Sequence, residues 1–172
     1  MITETPQITE TLAELLEVLD EEIAVLSDRL EQMELLSSAI AHRDDDAMEP
    51  VLDQMEQTQS RQQQTDTRLA KVREMLASLT GIPAGELRLW RLVRELPEPA
   101  SGKIASRRQR LVELSDTLRR SHLRTVLLLA ESARFNRLLL ETMFPAGEPV
   151  TTYDSGGTDH WRPDTGLVDT EG

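Results

Sequence analysis

Apolar residues recur every three or four positions along the first forty residues of the chain. They are Ile8, Leu12, Leu15, Leu19, Ile23, Leu26, Leu30, Met33 and Ile40. Residues at this spacing lie on one face of a helix, so the pattern predicts a long amphipathic helix over about residues 7–42. Two starts are open, because Thr5 with Pro6 offers a cap and a first-turn proline, and Thr11 with Glu14 offers a capping box.

A run of aspartates separates this helix from the next. Residues 44–46 are all Asp, and an Asp at this point can cap a second helix, which we expect over about residues 47–80. Pro50 has no N–H to donate, so it is expected in the first turn of that helix. Gly81 and Pro83 then end it. Together the two segments indicate a helical hairpin.

The middle of the second helix carries no apolar residue. Residues 56–68 read EQTQSRQQQTDTR, which at 1.5 Å per residue covers about 20 Å of helix axis. We expect nothing here to drive burial, because burial depends on apolar surface. Folding the hairpin about Asp45 places Gln62 opposite Asp28. Three apolar residues of the first helix are then expected to be poorly covered, namely Ile23, Leu26 and Leu30.

Two further helices follow, a short one and a long one. A cluster of apolar residues predicts a packed connector helix over about residues 84–96, and the Pro-Glu-Pro sequence after it ends that helix. The last long helix is expected over about residues 103–144.

The predicted fold is therefore all-α, an elongated antiparallel bundle of three long helices with a short connector helix, in one domain of residues 1–147. Residues 148–172 are acidic and poor in apolar residues, which predicts a disordered, flexible C-terminal tail.

The first and last helices differ in charge, and the net charge of the chain argues against some classes of partner. The formal net charge is −12, which argues against nucleic acid, because a nucleic-acid surface needs a positive face to release counterions. The first helix is strongly acidic, whereas the segment from Lys103 to Arg124 is basic. We interpret the basic segment as a solvated face that pairs with the first helix, since it contains no aromatic residue for base stacking.

The remaining composition bears on the compartment. The chain has no Cys, which excludes disulfides and thiolate metal sites and suits a reducing cytosol. Residues 1–6 lack the basic and apolar regions of a secretory signal, and no apolar run approaches the roughly 20 residues that cross a bilayer. We therefore expect a cytoplasmic protein without direct membrane insertion.

No residue constellation supports catalysis, a cofactor or a metal. The three histidines share no ligand spacing; they are His42, His122 and His160. Gly102-Lys103 invites a phosphate-loop interpretation, but Pro97 stands where that motif has its first Gly, and no strand precedes it. The Asp44–Asp46 run lacks the alternating ligands of an EF-hand and is expected to cap a helix. The hydroxyl residues have no activating His and acid nearby. We predict a protein that is not an enzyme.

The last helix has more apolar surface than one stripe can explain. Residues 126–129 and 138–140 are contiguous apolar runs, and consecutive helical residues lie about 100° apart, so each run covers more than half the circumference. Two interpretations are open: this helix contacts two neighbours, or it offers a groove to a partner helix. Asn136, on the apolar side, is expected either to fix the register as a buried polar residue or to contact the partner directly.

The end of the chain resembles a known family. The sequence NRLLLE at residues 136–141, followed by a Pro-containing break and then TYDSGG at residues 152–157, is similar to the N-x-x-L-L-E helix end and the Y-x-x-x-G tail of the FlgN-type flagellar export chaperones. The acidic first helix and the Gln-rich second helix are similar to that family as well. The apolar insert at residues 82–96 and the longer tail with Trp161 depart from its pattern.

This resemblance implies a function and a set of site residues. It implies a cytoplasmic type III export chaperone that binds the C-terminal helices of hook-filament junction proteins, keeps them monomeric and delivers them to the export gate. In that family the last helix carries much of the client contact, so the expected client-binding residues are Val126, Leu128, Leu129, Phe135, Leu138, Leu139 and Met143. The residues that the resemblance implies for docking on the export gate are Tyr153 and Gly157. The alternative is a self-associating coiled-coil scaffold, such as a homodimer, with no export role.

Overall fold

The computed structural model describes residues 5–144 and the backbone of two short strands further on. The helices are α1 (Pro6–His42), α2 (Asp45–Thr80), α3 (Leu89–Glu95) and α4 (Ala100–Met143), and the strands are β1 (Thr152–Tyr153) and β2 (Asp159–His160). The strands pair antiparallel, with Thr152 opposite His160. Three long helices and a short connector are present, as predicted, whereas the strand pair was not predicted. The chain divides into two compact units, residues 1–129 and 130–172.

The structure selects the earlier of the two possible starts for α1. Thr5 is in the extended conformation, and its side-chain oxygen accepts a hydrogen bond from the N–H of Ile8 at 3.4 Å. Pro6 follows in the first turn, where a missing N–H costs nothing. The helix ends at His42, and Arg43 follows as its cap with a left-handed φ of 55°, which lets the N–H of Asp44 reach the carbonyl of Ala39 at 3.0 Å.

The second helix begins two residues before the expected position. Asp44 caps it, with Oδ1 accepting from the N–H of Ala47 at 3.0 Å. Because the helix starts at Asp45, Pro50 lies in its second turn, and its placement in the first turn was wrong. At the other end Gly81 adopts a φ of 70°, and its N–H donates to the carbonyl of Ala77 at 2.9 Å. Few residues other than Gly adopt this conformation without strain.

The connector helix α3 is shorter than expected. Residues 84–86 form turns, in which the N–H groups of Glu86 and Leu87 both donate to the carbonyl of Pro83. Arg88 is extended, so the helical path starts only at Leu89. The last helix then begins at Ala100, three residues earlier than predicted.

Hydrogen-bond partners show which way the helices of the first unit run. Residues further back along α1 bind residues further on along α2. The pairs are Gln32 with Thr58, Asp28 with Arg61, and Glu22 with Gln62. Those that join α1 and α4 run in the same direction, in the pairs Asp20 with Arg107 and Ser37 with Thr125. The fold about Asp45 predicted Gln62 opposite Asp28, and the partner of Asp28 is the adjacent Arg61.

Two apolar clusters hold the first unit together. The main cluster contains buried residues of α1, α2, α4 and the segment before and around α3: Ile8, Leu12, Leu15, Val18, Leu19, Val72, Leu76, Leu87, Leu92, Leu96 and Ile104. The turn cluster lies near the α1–α2 turn, where Leu36, Ile40 and Val51 are buried and Met48, Met55 and Leu128 pack against them. The apolar segment 82–96 is therefore part of the core.

The polar middle of α2 is partly buried, contrary to expectation. Thr58 and Thr65 are buried in this segment. The side-chain amide of Gln32 donates to Thr58 Oγ1 at 2.7 Å and to the carbonyl of Gln54 at 3.3 Å. Hydrogen bonds thus join α1 to α2 where apolar contact is missing, although Oε1 of Gln32 has no hydrogen-bond partner in the described structure. Across from this segment three apolar residues of α1 are half-buried: Ile23, Leu26 and Leu30.

Candidate protein-binding surface

The last helix buries little of its own length. Its only buried residues in the described structure are Ser101, Ile104, Leu114 and Thr125, and none lies beyond residue 125. Residues 126–144 nevertheless include most of the large apolar side chains of this helix that are exposed. A long segment with this much exposed apolar surface is the kind of surface that binds another protein.

The first apolar run, in the first unit, is divided between core and surface. Leu128 is half-buried and packs against the turn cluster. Val126, Leu127 and Leu129 are exposed. Of this run, Leu128 therefore contacts a neighbouring part of the bundle, and the other three residues present apolar surface. Leu127 did not figure among the predicted site residues, although the contiguous run already pointed to it.

The second apolar run lies in the second unit and is exposed throughout. Leu138 is 52% exposed and Leu139 41% exposed, and Phe135 and Met143 are exposed as well. Phe135, Leu139 and Met143 follow each other at four positions, and Leu138 lies three positions after Phe135. The four residues therefore share one face of α4, which we call the apolar stripe. Leu140, which the prediction omitted, is exposed beside it.

Polar contacts flank the stripe along the helix. Arg137 donates from Nε to Glu141 Oε1 at 2.9 Å, one turn away, and Thr142 Oγ1 donates to the carbonyls of Leu138 and Leu139. Such local contacts favour the helical conformation by only a few tenths of a kcal/mol each. The stripe is thus carried on a regular helix, with charge beside it.

The other predicted residues of this region are placed as follows. Asn136 is exposed, so the described structure does not bury it, and its role in setting register stays a prediction. Tyr153 lies in β1, where its backbone is paired opposite Asp159. Gly157 lies outside the described residues. Docking through Tyr153 and Gly157 stays a prediction too.

Residues considered for other chemistry serve structural roles. The Glu98 carboxylate accepts a hydrogen bond from the N–H of Gly102 at 3.2 Å, at the start of α4, as expected of a helix entry. Arg107 binds both oxygens of Asp20, at 2.9 and 2.7 Å, which is the pairing expected between the basic segment and α1. Residues 5–144 contain no group of three or more acidic or histidine side chains arranged to hold a metal ion.

An ion-pair network stabilises the connector. Arg91 donates from Nε to Glu95 at 3.0 Å and from Nη1 to Glu86 at 2.9 Å. The hydrogen bond from Arg91 lowers the pKa of the Glu95 carboxyl below its ordinary value, and the bonds to Glu95 and Glu86 raise the pKa of the Arg91 guanidinium.

Among residues 5–144, none of the helices has both the length and the apolar character needed to span a membrane.

A family model described as the FlgN protein matches residues 1–160. The chain belongs to the FlgN family. The FlgN family is one of chaperones in flagellar type III export, and its members bind flagellar hook-associated proteins. The match spans both units of this FlgN-family chain, including the apolar stripe and the segment 82–96, and so confirms the resemblance seen in the sequence. No curated protein and no solved structure matches at a significant level.

Proposed function

We propose that this chain binds a helical segment of a hook-filament junction protein on the apolar stripe of α4. The observation that carries the proposal is a stripe of four large apolar residues, Phe135, Leu138, Leu139 and Met143, exposed on one face of a helix in a member of the FlgN family. An amphipathic client helix laid along such a stripe would bury apolar surface on both partners, which is a recurrent mode of peptide recognition.

The same proposal explains why the client would stay monomeric. Junction-protein segments that pack against each other in an assembled filament would be covered by the chaperone before export. We propose that the exposed residues Val126 and Leu129 of the first unit add client contacts, and that Leu128 adds little, because the turn cluster already covers part of it. Antiparallel packing of the bundle, supported by the reversed order of hydrogen-bond partners along α1 and α2, is part of this proposal.

Delivery of the client to the export gate is assigned to the C-terminal tail. We propose that Tyr153 and Gly157 dock on the export gate in the cytoplasm, as the resemblance of TYDSGG at residues 152–157 to the family tail implies. An aromatic residue with a polar hydroxyl suits a short docking motif, because its ring buries well and its hydroxyl can still find a partner. Client capture and gate docking are then separate functions of separate residues.

The test replaces Leu138 and Leu139 with Asp in the full chain. Each leucine buried on binding is worth about 1.5–3 kcal/mol, so the double variant should bind the purified junction protein about 100-fold more weakly or worse. Isothermal titration calorimetry measures the affinity, and circular dichroism checks the helix content. The matched control is Leu35→Asp with Leu52→Asp, two exposed leucines outside the stripe.

Each result bears on the assignment. Full client affinity in a folded stripe variant would show that the client binds elsewhere, and equal loss in the control would show a general effect of added charge. Tyr153→Ala should retain client affinity and weaken capture by the purified cytoplasmic domain of the gate protein. Equal loss of both activities in Tyr153→Ala would contradict the separation of capture from delivery.

The second candidate function is a self-associating scaffold. The observation that favours it is the same exposed stripe, since an uncovered apolar face can equally bind a second copy of the chain. Light scattering decides between the two. A stable dimer that has no affinity for junction-protein C-terminal segments would support the scaffold, whereas a monomer that forms a complex with them would support the chaperone.

A further inference from the structure

A separate apolar cleft opens in the first unit, beside the connector helix. It has a volume of about 270 Å³, and six leucines line it together with Trp90. Leu15 comes from α1, Leu69 and Leu76 from α2, and the remaining three from the segment 87–92. The apolar segment 82–96 therefore builds one wall of the cleft.

Three arginines surround this apolar surface. Arg73 of α2, Arg88 before α3 and Arg108 of α4 all line the cleft, and all three are exposed. No carboxylate in the described part of the chain forms an ion pair with any of them, whereas neighbouring Arg91 and Arg107 are paired with acids. Three unpaired cations around one cleft are notable in a chain whose net charge is −12.

Trp90 gives the cleft a large aromatic edge. Its side chain is 52% exposed, whereas Leu87 and Leu92 of the same segment are buried in the core. The guanidinium of Arg94 lies 5.6 Å from the centre of the ring, within the range of a cation–π interaction. An exposed Trp beside arginines is a composition typical of residues that dominate binding energy at protein interfaces.

The size and charge of the cleft define what it fits. Small-molecule sites typically have volumes of about 300–1,000 Å³, so this cleft is better matched to one or two large side chains of a peptide. The arginines favour carboxylates on both sides of those side chains, since Arg binds carboxylates in a bidentate manner. We propose that the cleft is a second docking site, specific for an acidic peptide segment that carries a large apolar residue between Asp or Glu residues.

This site goes beyond the client surface proposed above and differs from it in mechanism. Recognition on the apolar stripe depends on burial and should change little with salt. Recognition at the cleft combines one apolar anchor with ion pairs at its rim, so its affinity should fall as salt screens them. The apolar stripe lies in the second unit and the cleft in the first, so each can be altered without changing residues of the other.

The test uses a synthetic peptide with a Leu-Phe pair flanked on both sides by Glu, and a twin in which every Glu is Gln. The Glu peptide should bind the full chain with saturation in calorimetry, and the Gln twin should bind at least tenfold more weakly. In the full chain with Trp161→Phe, Trp90 is the sole tryptophan and its emission should shift as the peptide covers the ring.

Charge reversal provides the matched pair of variants. Arg73→Glu, Arg88→Glu and Arg108→Glu together should lower affinity for the Glu peptide by tenfold or more, since each ion pair is replaced by repulsion. Arg119→Glu, Arg120→Glu and Arg124→Glu together make the same charge change on α4 away from the cleft and should leave the affinity within about twofold. Circular dichroism confirms that both variants fold.

Three outcomes would overturn the proposal. They are absence of saturable binding by the Glu peptide, equal affinity for its Gln twin, and equal loss in the two charge-reversed variants. Binding of a small carboxylate such as octanoate without binding of the peptide would also overturn it, because the site would then take a free amphiphile. The Leu138→Asp and Leu139→Asp variant should keep full affinity for the Glu peptide, which separates failure of this site from failure of the client surface.

Discussion

The connector end of the α1–α2 hairpin and the middle of the same hairpin are held by different chemistry. At the connector end, apolar side chains from four segments meet in the main cluster, and Val18, Val72 and Leu76 are almost completely buried there. In the middle, α2 offers only polar residues, and contact with α1 depends on hydrogen bonds from Gln32 and Gln62 and on exposed ion pairs.

The difference separates stability from alignment. Burial of apolar side chains stabilises a fold by about 1.5–3 kcal/mol for each large residue, whereas a hydrogen bond between side chains contributes about 1 kcal/mol net. The exposed ion pair between Asp28 and Arg61 contributes less than about 1 kcal/mol. The main cluster therefore supplies most of the stability, and we infer that the polar middle serves to fix how α1 and α2 are aligned.

Truncation in the main cluster should have the largest effect. Leu76 is 1% exposed, so Leu76→Ala removes buried contacts and leaves a cavity, and the free energy of unfolding should fall by about 2–5 kcal/mol. Urea denaturation followed by circular dichroism measures it. Leu52→Ala, at an exposed position of the same helix, should change stability by less than about 0.5 kcal/mol. A cost of less than about 1 kcal/mol for Leu76→Ala would contradict the assignment of stability to this cluster.

The sequence predicted the parts of this fold that depend on local rules. Helical periodicity predicted the three long helices, and capping chemistry explains where α1 begins, at Thr5, and where α2 begins and ends, at Asp44 and Gly81. The position of the turn near Asp45 was enough to predict which parts of α1 and α2 meet, because two helices joined by a tight turn have little freedom to slide. Asp28 binds Arg61, next to the predicted Gln62, whereas Gln62 itself binds Glu22.

The parts of the fold that the sequence did not predict depend on tertiary contacts. The burial of Thr58 and Thr65 follows from how closely α1 approaches, which no pattern within α2 reveals. The same holds for the cleft beside Trp90, since its walls come from segments far apart in the chain. The apolar stripe of α4 is an intermediate case, because the sequence showed an excess of apolar surface but not which neighbours would cover it.

Removal of a polar contact in the middle should have a smaller effect than truncation in the main cluster. Gln32→Leu removes the hydrogen bonds from Nε2 to Thr58 and Gln54, but it also removes a buried Oε1 that has no hydrogen-bond partner in the described structure. The Thr58 hydroxyl keeps its own bond to the carbonyl of Gln54, at 2.9 Å. Gains and losses nearly cancel, so the free energy of unfolding should stay within about 1 kcal/mol of the parent in urea denaturation. A loss as large as that of Leu76→Ala would show that polar contacts in the middle stabilise as much as apolar packing does.

The smallest effect is expected from the ion pair at the connector end, and it should depend on pH. The hydrogen bond from Arg91 lowers the pKa of Glu95 in the folded state, below its ordinary value of 4.5. A carboxyl whose pKa is lowered by folding stabilises the fold above its unfolded pKa, and this contribution is lost as pH falls through the folded pKa. Glu95→Gln should therefore be slightly less stable than the parent at pH 7, and the difference should shrink as pH falls below about 4.5 and Glu95 becomes protonated. Thermal unfolding at a series of pH values measures it. A difference that stayed constant from pH 7 to pH 3 would show that Glu95 acts through packing in the connector and not through its charge.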